Sequence, residues 1–124
     1  MDETSSYLIR GDPSRNLIEV RYGGRVTAPI VKEVYKELMT LLPTMRQGFT
    51  FLADLSELES MDLDCVADIT RIMDTCNAAG IGTVVRIVPD PRKDIGLNIL
   101  SIIHYRRGVH ILTFQNSEEA GRAL

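Results

Sequence analysis

The sequence predicts an α/β domain: a mixed, mostly parallel sheet of about five strands opened by an N-terminal hairpin, with about four helices lying mainly on one face. Three observations carry this expectation. From Leu17 onward, short apolar runs alternate with longer runs whose apolar residues recur at helical spacing, and the order repeats to the end of the chain. Two short β-like runs at the start flank Gly11-Asp12-Pro13-Ser14-Arg15-Asn16, a turn composition. Finally, Leu17, Glu19 and Arg21 alternate with Ile18, Val20 and Tyr22, and Arg86 interrupts the valines of a later strand. Strands covered on both faces would be more uniformly apolar, so the second sheet face is expected to be partly wet or used for contact.

Residues 7–10 and 17–22 form the expected hairpin, and Gly23-Gly24 is expected to break its second strand. Thr27 is placed to cap a first helix whose opening turn holds Pro29, where a missing N–H does no harm. Ile30, Val34, Leu38 and Leu41 supply its core stripe, and Pro43 ends it. A strand over residues 49–55 follows, then an acidic loop. The second helix opens at Asp62 or Asp64, carries Val66, Ile69, Met73 and Cys76 inward, and stops at Gly80.

Residues 82–88 read as the next strand. Asp90 with Pro91 is a start signal for a third helix, which ends at Gly108. Residues 109–114 are the last strand and 116–124 a short helix, with Asn116 and Glu119 at capping-box spacing.

At 124 residues, with 44% apolar and 25% charged content, the chain is sized for one domain over residues 1–124, of which 1–6 are expected to be a flexible tail. A net charge of −3 gives no broad basic field, which disfavours nucleic acid as the main partner. No apolar run approaches the roughly 18–20 residues of a membrane span, and no signal pattern opens the chain, so a cytoplasmic protein is expected. Cys65 and Cys76, eleven residues apart on one predicted helix, would lie about 16 Å apart, beyond disulfide reach. They read as small core residues of a reducing compartment rather than as metal or redox groups.

Residues 49–66, FTFLADLSELESMDLDCV, bring an apolar strand, Asp-Leu-Ser, an acidic loop and a Met-Asp pair together ahead of a helix. Gly24-Arg25-Val26-Thr27-Ala28, Ala78-Ala79-Gly80-Ile81-Gly82, and the closing Ser117-Glu118-Glu119-Ala120 with Ala123-Leu124 complete a pattern spread over most of the chain. This pattern resembles the STAS, or SpoIIAA-like, family of bacterial anti-sigma-factor antagonists and sulfate-transporter tails. The resemblance implies the SpoIIAA-like fold and a regulatory protein partner. It also implies a phosphoacceptor serine after the Met-Asp pair, and here that position is Leu63. Asp62 matches the family's aspartate, Asp64 falls at a second serine, and Cys65 falls at the usual glycine.

A hydroxyl at a helix start is a good phosphorylation target because the added dianion meets free N–H groups and the positive end of the dipole. Leu63 has none. Two readings of the remaining acids stand: Asp64 holds a fixed charge that imitates the phosphorylated state, or Asp62 and Asp64 only cap and favour the helix N-terminus. Asp54, Ser56 and Ser60 complete the candidate docking segment, the two serines lying off the matching position.

The third helix supplies the other candidate. Ile95, Ile99, Ile102, Ile103 and Tyr105 spread around more than one helical face, with Arg106 at the rim, which suits an interface or a more deeply buried helix. His104 and His110 lack neighbours at metal-ligand spacing, and no phosphate-loop, dinucleotide or hydrolase-elbow motif occurs. The expectation is a non-enzymatic interaction domain without cofactor or metal, binding a regulatory protein or itself as a homodimer. The alternative is a carrier of a lipid or other small apolar molecule beneath the third helix.

Overall fold

The computed structural model describes residues 5–90, 105 and 108–124. Five strands run in the order β1 (Ser6–Asp12), β2 (Leu17–Val26), β3 (Thr50–Met61), β4 (Thr83–Ile87) and β5 (His110–Phe114) across one sheet. β1 and β2 are antiparallel and the rest are parallel, giving the mixed sheet expected. Among the described residues there are three α-helices, α1 (Ala28–Leu41), α2 (Cys65–Ala79) and α3 (Ser117–Ala123), against the four anticipated. The expected third helix, with Ile95, Ile99, Ile102, Ile103, His104 and Arg106, lies outside the described residues.

Sequential parallel strands joined by right-handed crossovers place their connecting helices on the same side. Accordingly, Val31, Val34 and Leu38 of α1 and Ile69, Ile72, Met73 and Cys76 of α2 pack with Ile18, Val20, Tyr22, Phe51, Leu55 and Val84. The opposite parity, Leu17, Leu52, Val85 and Ile87, meets Ala120 of α3. Among the described residues that outer face is therefore roofed only toward β4 and β5. Over β1 and β2 it carries Arg10, Glu19 and Arg21.

Several local expectations needed correction. Gly23-Gly24 does not end β2; the strand runs on to Val26 through two register shifts against β3, with Gly24 at φ +68, a geometry in which glycine costs least. The acidic loop is strand as well: Glu57, Leu58, Ser60 and Met61 pair with residues of β2, and Leu58 is buried between exposed Glu57 and Glu59. Partner backbone along β2 outweighs the weak strand preference of Glu and Ser. In α1 the buried stripe is Ala28, Val31, Val34 and Leu38 rather than one led by Ile30 and Leu41, which are half-buried at its margin. In α2, Val66 is exposed and Cys65 takes the inward place assigned to it.

Caps divide in the same way. Asn116 accepts the Glu119 N–H at 2.9 Å, as its spacing implied. Thr27 and Asp64 occupy N-cap positions without a side-chain capping bond, and Asp64 is already in helical geometry at φ −69, ψ −10. The expected capping role of Asp64 is therefore corrected.

The two chain reversals beside β3 and β4 are locked together. Gly48 donates to Gly80 O at 2.7 Å, and Gly82 donates to Phe49 O at 2.9 Å. A Cβ on Gly82 would stand 2.8 Å from Gly48 O and 2.9 Å from its Cα, both backbone atoms that cannot swing aside. Gly82→Ala is expected to cost about 1–3 kcal/mol through forced separation of these segments. Urea denaturation measures it, and an unchanged midpoint would refute the close approach.

Candidate functional site

The residues singled out on β3 and its exit fall into two groups. Asp54 and Ser56 belong to the outer sheet face. Ser60, Asp62, Leu63 and Asp64 gather at the far end of β3, and even Ser56 and Ser60, the nearest members of the two groups, are about 13 Å apart at about 3.3 Å per extended residue. They do not form one site.

Asp54 is buried, and Ser56 closes on it with both its N–H (3.0 Å) and its hydroxyl (2.6 Å). Arg21 Nε stands 3.4 Å from the other carboxylate oxygen, while Arg21 Nη2 lies 3.5 Å from Glu19, which in turn holds Arg10 Nε at 2.7 Å. Charges alternate in sign across three strands, so this face carries a matched ladder rather than a net field. The alternation of Glu19 and Arg21 was the only sequence signal for it, since Asp54 and its cation come together through strand register alone.

At the β3 exit, Arg25 grips Asp62 with both ends of its guanidinium, Nε to Oδ1 at 3.1 Å and Nη2 to Oδ2 at 3.2 Å. Fork-to-fork geometry of this kind fixes orientation as well as charge. Asp62 N–H donates to Val26 O at 3.0 Å, and Asp62 O accepts the Cys65 N–H at 3.0 Å. The joint between β3 and α2 is thus tied to the end of β2 at side chain and backbone. Asp62 is an ion-pair partner, not a helix cap, and its cation was missed because Arg25 lies 37 residues away in sequence.

Beyond this clamp the chain turns outward. Leu63 is 88% exposed, the most exposed of the large apolar side chains described, and Val66 one turn on is 43% exposed. Asp64 beside them is exposed too. Beneath, Cys65 is fully buried with Sγ 3.6 Å from Val26 O. Its thiol is pushed up to about 11, first by burial and then by the carboxylates of Asp64 and Asp62, so it is a protonated packing group rather than a reactive thiolate. Burial pushes Cys76 up to about 12.

On the helix side, Tyr22, Phe51, Leu55, Ile69 and Met73, with Arg86 and Tyr105, line an apolar cavity of about 50 Å³. Arg86 shares the inward parity of Val84, and its Nη2 donates to Thr113 Oγ1 at 2.7 Å. Tyr105 packs against this core, and burial raises its phenol. Among the described residues no three His, Cys, Asp or Glu side chains are placed to hold a metal ion, and no helix is long and apolar enough to cross a membrane.

No protein-family model and no curated protein matches this sequence. Solved structures do match in shape. A protein of the DUF3478 family with a SpoIIAA-like fold, from Shewanella loihica PV-4, superposes at a TM-score of 0.78 over 100% of this chain and 98% of its own, at 13% identity. An anti-sigma factor antagonist from Mycobacterium paratuberculosis gives 0.61 at 13% identity, covering 97% of this chain and 93% of that one. The anti-sigma factor antagonist SpoIIAA in its unphosphorylated form gives 0.62 at 16%, covering 95% and 96%. The chain has the SpoIIAA-like (STAS) fold.

Proposed function

We propose that this chain is a non-enzymatic regulatory interaction domain in which the phosphorylation switch of the fold has become a fixed docking point. The observation that carries the reading is the presentation of Leu63: an apolar side chain, 88% exposed, stands where the resemblance expects a phosphoacceptor, on a joint clamped by Arg25 and Asp62. So exposed a leucine adds little to folding, and with Val66 exposed one turn on it makes a small apolar point that suits insertion into a partner's pocket. Asp64 and Ser60 beside it add polar contacts at the rim. The two similar structures named as anti-sigma factor antagonists support a protein regulator as the kind of partner.

Asp64 also bears on the choice left open by the sequence. Its carboxylate makes no capping bond and stands exposed as a constant charge at this surface, which supports the fixed-state reading, while its place at the start of α2 also favours the helix N-terminus. The ligand-carrier alternative has less behind it. A cavity of about 50 Å³ is small beside the roughly 300–1,000 Å³ of sites that enclose organic ligands.

Affinity capture from cells, using tagged wild type and Leu63→Asp, tests the proposal. A protein retained in near-stoichiometric amounts by wild type should be lost at least about tenfold from Leu63→Asp, the scale of one hot-spot contact. The thermal midpoint of the variant should not move, because so exposed a side chain contributes little to stability. Equal retention by both proteins would overturn the docking role.

A further inference from the structure

We infer that β1 is a self-complementary edge along which a second copy of this chain docks, extending the sheet across a two-fold axis at Ile9. Edge strands in monomeric proteins are usually short, bulged, or guarded by lysine or proline. Of these protections β1 carries only charge: seven residues pair with β2 without a register shift, the strand contains neither lysine nor proline, and its two charged side chains are already engaged within the chain, Arg10 by Glu19 at 2.7 Å and Asp12 by Ser14 at 2.6 Å. The opposite edge, β5, is five residues long.

The order of side chains along β1 identifies the occupant as a second copy. An antiparallel pair centred on Ile9 sets Leu8 opposite Arg10, Tyr7 opposite Gly11 and Ser6 opposite Asp12, using the whole strand. Leu8, Arg10 and the other even positions lie on the outer face with Arg21 and Glu19; Tyr7, Ile9 and Gly11 lie on the helix face with Tyr22 and Val20.

Tyr7 and Leu8 are both 37% exposed. The Tyr7 ring would stand opposite a residue with no side chain, beside Leu41 and Met45, which already crowd the inner side of Gly11 at 3.0 and 3.3 Å from an ideal Cβ. An aromatic ring over a facing glycine is a known way to stabilise such pairs. On the outer face, Leu8 would cover the aliphatic stem of the second copy's Arg10. Glu19 draws each Arg10 guanidinium inward at 2.7 Å, away from the seam, so the two cations do not confront each other. Ser6 offers a hydroxyl to the carboxylate of Asp12. The opposing feature is Glu37, with Glu33, close to Tyr7, since both copies bring these acids to the seam.

Sedimentation velocity and cysteine cross-linking test this. Wild type should sediment as a dimer at about 100 μM, and Leu8→Lys, which sets a desolvated ammonium against Arg10, should weaken association at least about tenfold. Circular dichroism of Leu8→Lys checks that it is folded. Opposed antiparallel residues have Cα atoms about 4.5–5.5 Å apart, within disulfide range. Mild oxidation of Ile9→Cys should therefore give a covalent dimer, while Ser14→Cys, on the exposed turn, should not. A monomer at that concentration, a dimer that survives Leu8→Lys, or an Ile9→Cys protein that cross-links no faster than Ser14→Cys would each overturn the proposal.

Discussion

Phe49→Ala is expected to lower the unfolding free energy by about 3–5 kcal/mol, the cost of removing a large ring from a site that cannot collapse. Phe49 is fully buried, the largest of the completely enclosed side chains among the described residues. Its backbone also carries the β3–β4 joint, since Phe49 O accepts from Gly82 N at 2.9 Å. The surrounding backbone is therefore held in place and leaves a cavity behind rather than closing over the gap. Small domains have only about 5–15 kcal/mol to lose. Urea titration should show the midpoint falling with little change in slope; a loss under about 1 kcal/mol would mean that the ring is not a keystone of the core.

The second large effect is a steep loss of stability in alkali. Cys76 and Cys65 have thiols pushed up from an ordinary 9.0 to about 12 and about 11, both chiefly by burial. Below about pH 9 the native and unfolded chains both keep these protons, and stability is level. Above it the unfolded chain releases them while the native chain retains them, so the unfolded state gains and stability falls until pH passes the native values. Each thiol contributes a slope of about 1.4 kcal/mol per pH unit within its window. The buried phenols of Tyr22 and Tyr105 are also raised, mainly by burial, and add to the fall above about pH 10. Thermal melts at about pH 8 and pH 10.5 should differ strongly for wild type and less for Cys76→Ala. Equal pH dependence in the two proteins would refute the assignment to Cys76.

Both predictions concern the interior, where the sequence was read well in one respect and poorly in another. The burial of both cysteines followed from their common face on a periodic helix. The buried charges did not follow in this way. Arg86 reads as an alternating surface position in β4, yet its parity points it inward, where Thr113 of β5 accepts from it. Asp54 reads as the exposed end of a strand, yet β3 runs seven residues further and Arg21 and Ser56 enclose it.

The candidate site shows the same division. That Leu63 lacks the hydroxyl needed for a phosphoryl switch is plain from the residue alone. What the neighbouring acids do is not. Asp62 was expected to cap α2, and its role changed once Arg25 was brought against it from the end of β2. Val66 was assigned to the core by spacing, yet the stripe begins one residue earlier, at Cys65, and leaves Val66 exposed.

By itself the sequence determined the kinds and order of the described strands and helices, the parallel character of most of the sheet, the working cap at Asn116 and the absence of a hydroxyl at Leu63. These rest on periodicity, capping and turn chemistry, all of which act within a few residues of the chain. Only the tertiary structure decided how far β2 and β3 extend, which charges meet, which face stays open and where Leu63 points. Those depend on strand register, which pairs residues tens of positions apart and sends a side chain to the opposite face with a slip of one.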